Sequence, residues 1–154
     1  MDHPYPLILM LRNSSKMIGL DTNVLARYYI DDSTDIEAQR QRPAAQRLID
    51  SGQSLAVCKT VIVELEWLMR GRYNMSPAMI IAVYQHMLSL THLAIEDRLA
   101  LTQALANYQL GIAFTDALHH ASYRTYDSMV TFDDRKFARR IAALGLHPPV
   151  IVLR

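Results

Sequence analysis

Short apolar runs of strand length alternate along this chain with longer stretches in which apolar residues return every three or four positions. The run MIGL at 17–20 predicts a buried strand, and Asp21-Thr22-Asn23 directly behind it supplies side chains that cap a helix over 24–30. An acidic loop at 31–35 leads into a helix over 37–50 closed by Gly52, and 54–58 predicts a second strand. Thr60 is placed to cap a third helix, which carries VIVELEWLMRG and closes before Asn74. Ser76-Pro77 is an N-cap followed by proline at the first helical position, so a fourth helix runs from there to Leu90. The same reading predicts a strand over 92–95, a helix over 96–109 ended by Gly111, and a helix from a Thr115 cap to 126. A strand over 128–132, a helix over 134–144 and a closing strand over 150–153 complete the pattern. With no repeat or linker, this is an α/β domain with a mostly parallel central sheet flanked by helices.

The 154 residues suit one domain. Hydrophobic types at 51% and charged types at 20% supply a core and exclude a disordered chain. A net charge of +1 excludes bulk attraction to a polyanion, so a nucleic-acid role has to rest on where the cations stand. Only Lys16, Lys59 and Lys136 are lysines; the other cations are arginines, whose planar fork fits phosphate. The single cysteine, Cys58, excludes an internal disulfide and a zinc site built on several thiolates, fits a reducing cytoplasm, and reads as a small core residue. The apolar run PLILML at 6–11 is too short to span a membrane and lacks the flanks of a secretion signal, so a cytoplasmic location is expected. Residues 1–16 read either as an N-terminal extension, with Met17 as a candidate start, or as carrying an extra strand over 7–11.

Parallel sheets present their ligand sites outside the carboxyl ends of the strands. Asp21 follows the first predicted strand, Asp133 and Asp134 follow the fourth, and Asp116 lies in the first turn of its helix. Each is also explained by capping alone. Glu64 projects between Trp67 and Leu68, inside an apolar stripe, where a carboxylate needs a proton, a cationic partner or a metal; Glu66 falls between Ile62 and Arg70 at the margin of the polar face. Carboxylates converging on one place repel unless a cation is present, and oxygen donors without histidine or cysteine suit Mg²⁺ or Mn²⁺ and phosphate-ester chemistry.

The strings IGLDTNVLARYY, VIVELEWLMR, FTDALHHAS and VTFDDRKFARR, in that order, resemble the motifs of PIN-domain proteins, most of all the VapC-type ribonuclease toxins of bacterial type II toxin–antitoxin systems. The resemblance spans 17–154, making that stretch a single PIN-like domain, and leaves 1–16 without a counterpart. It implies an endoribonuclease dependent on Mg²⁺ or Mn²⁺, one ion or two, with Asp21, Glu64, Asp116 and Asp133 as catalytic and metal-binding acids. Asp134 competes with Asp133 for the fourth place, because the family pattern counted from Thr131 gives one and counted back from Phe137 gives the other. Thr22, Asn23 and Thr131 would orient carboxylates or bound waters, or simply cap helices and favour strand. The resemblance also implies a small VapB-like antitoxin lying across the acidic groove, and a homodimer.

Arg27, Arg70, Arg72, Arg135, Arg139 and Arg140 sit on or beside the elements carrying the acids and are candidate RNA phosphate contacts. Tyr28, Tyr29 and Trp67 are either base-stacking platforms or core. His119 and His120 are either metal partners of Asp116 or packed side chains, and Met79, Ile80, Val83, Met87 and Leu88 are either core or a dimer contact. Two other readings stay open: a noncatalytic PIN-like nucleic-acid-binding module, and a related metal-dependent nuclease acting on DNA or on nucleic-acid structure.

Overall fold

A computed structural model describes residues 16–154; the possible strand over 7–11 and nearly all of the N-terminal extension lie outside them. Strand β1 (Ile18–Gly19) feeds helix α1 (Thr22–Tyr29), and α2 (Ile36–Asp50) returns to β2 (Leu55–Val57). Then follow α3 (Lys59–Gly71), α4 (Pro77–Ser89), β3 (Leu93–Ile95), α5 (Arg98–Gln109) and α6 (Phe114–Ser122). Strand β4 (Met129–Thr131), a π-helical turn (Asp134–Ala138), α7 (Arg139–Ala143) and β5 (Val150–Val152) close the chain.

Every strand pairing is parallel, in two ladders. β1, β2 and β3 lie side by side with Leu55 opposite Ile18 on one flank and Leu93 on the other; β4 pairs with β5, Met129 opposite Val150. The α/β expectation with a mostly parallel sheet therefore holds. Because the strands are only two or three residues long, packing between helices and sheet supplies most of the core: Leu25 and Ile49 from the first helices, Ile62, Leu65 and Met69 from α3, and Leu101 and Phe114 further along. The ring of Tyr84 stacks on Phe114 at 5.2 Å between centroids, and its hydroxyl donates to the Ile62 carbonyl at 2.6 Å.

Several boundaries differ from those read in the sequence. Cys58, not Thr60, is the N-cap of α3; Thr60 sits inside the helix with its hydroxyl 3.1 Å from the Cys58 sulfur. Cys58 is exposed rather than a core residue, because it lies beyond the buried strand end at Val57. Thr115 likewise lies inside α6, which starts at Phe114 and ends at Ser122; Tyr123 takes up the carbonyls of the last turn. Asp97 opens α5 from a left-handed conformation (φ 52°) and accepts from the Ala100 amide. On α4, Ile80, Val83 and Met87 are core and Met79 is exposed, which separates the two roles left open for that face.

The helix predicted over 134–144 is split. Its first turn is a π-helix, with the Ala138 amide reaching back to the Asp133 carbonyl, and this wider turn places Phe137 and Ala138 against the core.

Candidate active site

Asp116 and Asp133 come together in one cavity of about 750 Å³, between the amino end of α6 and the π-helical turn. Both positions follow from local rules. Asp116 stands in the first turn of α6, where helix amides favour an anion. Asp133 leaves β4 as the N-cap of the π-turn: its carboxylate accepts from the Lys136 amide at 3.1 Å, and its own amide donates to the Thr131 hydroxyl at 3.0 Å. Burial pushes the Asp116 carboxyl above its ordinary range, His119 pulls it part of the way back, and the Asp133 charge pushes it up again. Asp134 is not part of the cavity lining and stands 3.7 Å from Arg139.

Cations surround this acid pair. Arg135, Lys136, Arg139 and Arg140 line the same cavity, and of these only Arg139 has a carboxylate within ion-pair distance among the described residues. Pro77, Tyr108 and Ile112 form an apolar wall. Lys136, Tyr108 and Gly111 belong to the cavity although no motif singled them out; Lys136 stood in plain sight between Arg135 and Phe137.

The other expected site residues lie elsewhere. Asp21 is exposed at the end of β1, where one carboxylate oxygen accepts from the Thr22 amide at 2.8 Å. Beside it the Thr22 hydroxyl is buried and has no hydrogen-bond partner among the described residues. Asn23 faces a groove between α1 and α2.

Glu64 is exposed, and so is Trp67, at 69%; the buried acid of α3 is Glu66 at 2%, bound to Arg70 at 2.9 Å. The projection that put Glu64 in the apolar stripe is thus overturned. Helix α3 turns Ile62, Leu65, Glu66 and Met69 inward, and the Arg70 partner makes burial of Glu66 tolerable. Trp67 is accordingly not core, whereas Tyr28 and Tyr29 are half-buried and bonded to Asp50 and His86.

Three of the candidate RNA-binding arginines are engaged away from the acid pair. Arg27 contacts Gln41 and Asp35, Arg70 holds Glu66, and Arg72 lies 3.9 and 3.8 Å from Asp32 and Asp35. His120 is buried with its Nε2 2.7 Å from the Pro148 carbonyl, a packed side chain, while His119 is exposed beside Asp116. Among the described residues no three Asp, Glu, His or Cys side chains stand close enough together to hold one metal ion.

A family model described as the PIN domain matches residues 18–143. The chain belongs to the PIN-domain family. No curated protein matches it. PIN domains are typically nucleases and generally use divalent metals such as Mg²⁺. In this PIN domain the donor chemistry fits such an ion: carboxylate oxygens only, two of them in one cavity, with the Asp133 charge making Asp116 harder to ionise. Among the described residues no helix is long and apolar enough to cross a membrane.

Proposed function

We propose that this PIN domain is a metal-dependent endoribonuclease, the toxin of a VapBC-type toxin–antitoxin pair. The observation that carries the reading is the pairing of Asp116 and Asp133 in a cavity whose Arg135, Lys136 and Arg140 have no carboxylate partner within ion-pair distance among the described residues. Acids alone suit a cation and cations alone suit phosphate; the two together suit a phosphodiester presented to a metal.

Asp116 and Asp133 would hold Mg²⁺ or Mn²⁺, with Asp21 and Glu64 completing the acids that the family motif assigns. The bound ion would supply the activation of water and the offset of charge on the phosphate. Thr131 fixes the backbone of Asp133, and Arg135, Lys136 and Arg139 would hold the RNA backbone beside the acids. A cytoplasmic location, a homodimer and an antitoxin segment laid across the cavity belong to the same proposal.

The deciding assay is cleavage of single-stranded RNA with Mg²⁺ or Mn²⁺ against EDTA, for wild type and Asp116→Asn. Metal-dependent cutting that disappears in the variant supports the reading, and equal cutting in all samples defeats it. The separation of Asp21 and Glu64 from the cavity lining favours one rival, a noncatalytic nucleic-acid-binding module. RNA binding without cleavage under any divalent ion would select that rival, and cleavage confined to DNA would select a DNA-directed nuclease. In cells, growth arrest on induced expression, relieved by Asp116→Asn and by the co-expressed antitoxin, would establish the toxin role.

A further inference from the structure

Helix α5 ends in a Schellman turn. The Gly111 amide donates to the Tyr108 carbonyl at 2.9 Å and the Ile112 amide to the Asn107 carbonyl at 3.1 Å, with Gly111 at φ +95°. This turn leaves the Leu110 carbonyl free, and Arg140 Nη1 donates to it at 3.1 Å. The guanidinium lies where a side chain on residue 111 would be: a Cβ there would meet Nη1 at 3.0 Å and Cζ at 3.5 Å. Glycine at 111 therefore serves twice, taking the positive φ and leaving room for Arg140.

An arginine has five N–H donors in a rigid fork. The bond to Leu110 uses Nη1, and no carboxylate pairs with Arg140 among the described residues, although it lines the cavity of Asp116 and Asp133. The negative end of α5 holds the cation in place before any ligand arrives. We propose that Arg140, set by Leu110 and Gly111, is a preformed clamp for a backbone phosphate of single-stranded RNA next to the one cleaved. The clamp rests on the ribonuclease reading above and adds the residue that fixes the register of the strand against the acids.

The test is binding of a short mixed-sequence single-stranded RNA across a salt series, in EDTA and again in Ca²⁺, for wild type, Arg140→Gln, Arg140→Lys and Gly111→Ala. Arg140→Gln is expected to weaken binding about tenfold and to flatten the slope of log affinity against log salt by about 0.7, one phosphate contact on a single strand. Arg140→Lys keeps the charge and loses the fork, so it retains the slope with reduced affinity. Gly111→Ala displaces the guanidinium and weakens binding with Arg140 intact; where that variant does not fold, the two Arg140 variants decide alone. Wild-type affinity and slope in Arg140→Gln, with only the melting temperature lowered, would mean that Arg140 merely finishes α5, and the clamp would be lost while the ribonuclease reading stood. A wild-type protein that binds no RNA in either buffer would overturn both.

Discussion

Glu66 holds Arg70 at 2.9 Å within the packed side of α3, while Glu64, two residues earlier, points to solvent. The two acids should therefore separate stability from activity. Glu66→Ala removes a charge-assisted hydrogen bond and leaves a gap beside Leu65 and Met69, for an expected loss of about 2 kcal/mol in urea denaturation. Glu64→Gln, exposed and unbonded, should stay within about 0.5 kcal/mol of wild type while depressing metal-dependent RNA cleavage. The reverse pattern would assign the catalytic role to the wrong glutamate.

Divalent binding is open to measurement without any substrate. At a Mg²⁺ or Mn²⁺ concentration ten times the dissociation constant, the wild-type protein should gain about 1.4 kcal/mol of stability. Asp116→Asn and Asp133→Asn should each lose most of that gain, since both side chains line the one cavity. An unchanged metal-induced shift in both variants would place the ion elsewhere.

Asp97 ties three elements together. Lys59 Nζ reaches it at 2.8 Å, and Arg124 grips it through both terminal nitrogens at 2.9 and 3.1 Å. Burial, the largest single influence, pushes its carboxyl up, but bonds from Lys59, Arg124 and the Ala100 amide together hold it at about 2, below the ordinary 3.8. The folded-state value is depressed, so this contribution is complete above the unfolded value and fades as pH falls from about 4 toward 2. Wild-type stability should decline across that window, and Asp97→Asn should lower stability at neutral pH and flatten the decline, read by denaturation at a series of pH values. An equal acid slope in both proteins would assign the acid sensitivity to other carboxylates.

Tyr84→Phe tests the join between α3 and α4. The hydroxyl is fully buried and bonded to the Ile62 carbonyl, so its loss strands that acceptor's partner and should cost about 1 kcal/mol, with the ring stack on Phe114 preserved. A neutral result would mean that the Ile62 carbonyl is satisfied within its own helix.

Much of the architecture was legible because its boundaries carry their own chemistry. Ser76-Pro77 does open a helix, Gly111 does end one, and Asp21 does follow a strand and cap what comes next, each for a reason contained within a few residues. The orientation of α3 was not legible in that way. Its apolar residues, Val61, Ile62, Val63, Leu65, Leu68 and Met69, surround most of the helix, so projection alone does not say which flank meets the core. The contact partners decide it: Tyr84 lies against Ile62, and Arg70 accompanies Glu66 inward. The cavity's cations were also only half visible, because six arginines near the acids in sequence look alike until Asp32, Asp35 and Glu66 are seen to occupy three of them.

The wide turn at Asp134–Ala138 acts as an angular spacer. One residue fewer there would restore an ordinary helical pitch and rotate everything behind it by about 100°. Arg139 and Arg140 would swing off the cavity rim, and Ile141 would leave the core. A single-codon deletion in that short stretch would therefore misalign the basic rim and the hydrophobic anchor at once, whereas lengthening the exposed loop at 124–128 would leave both in phase.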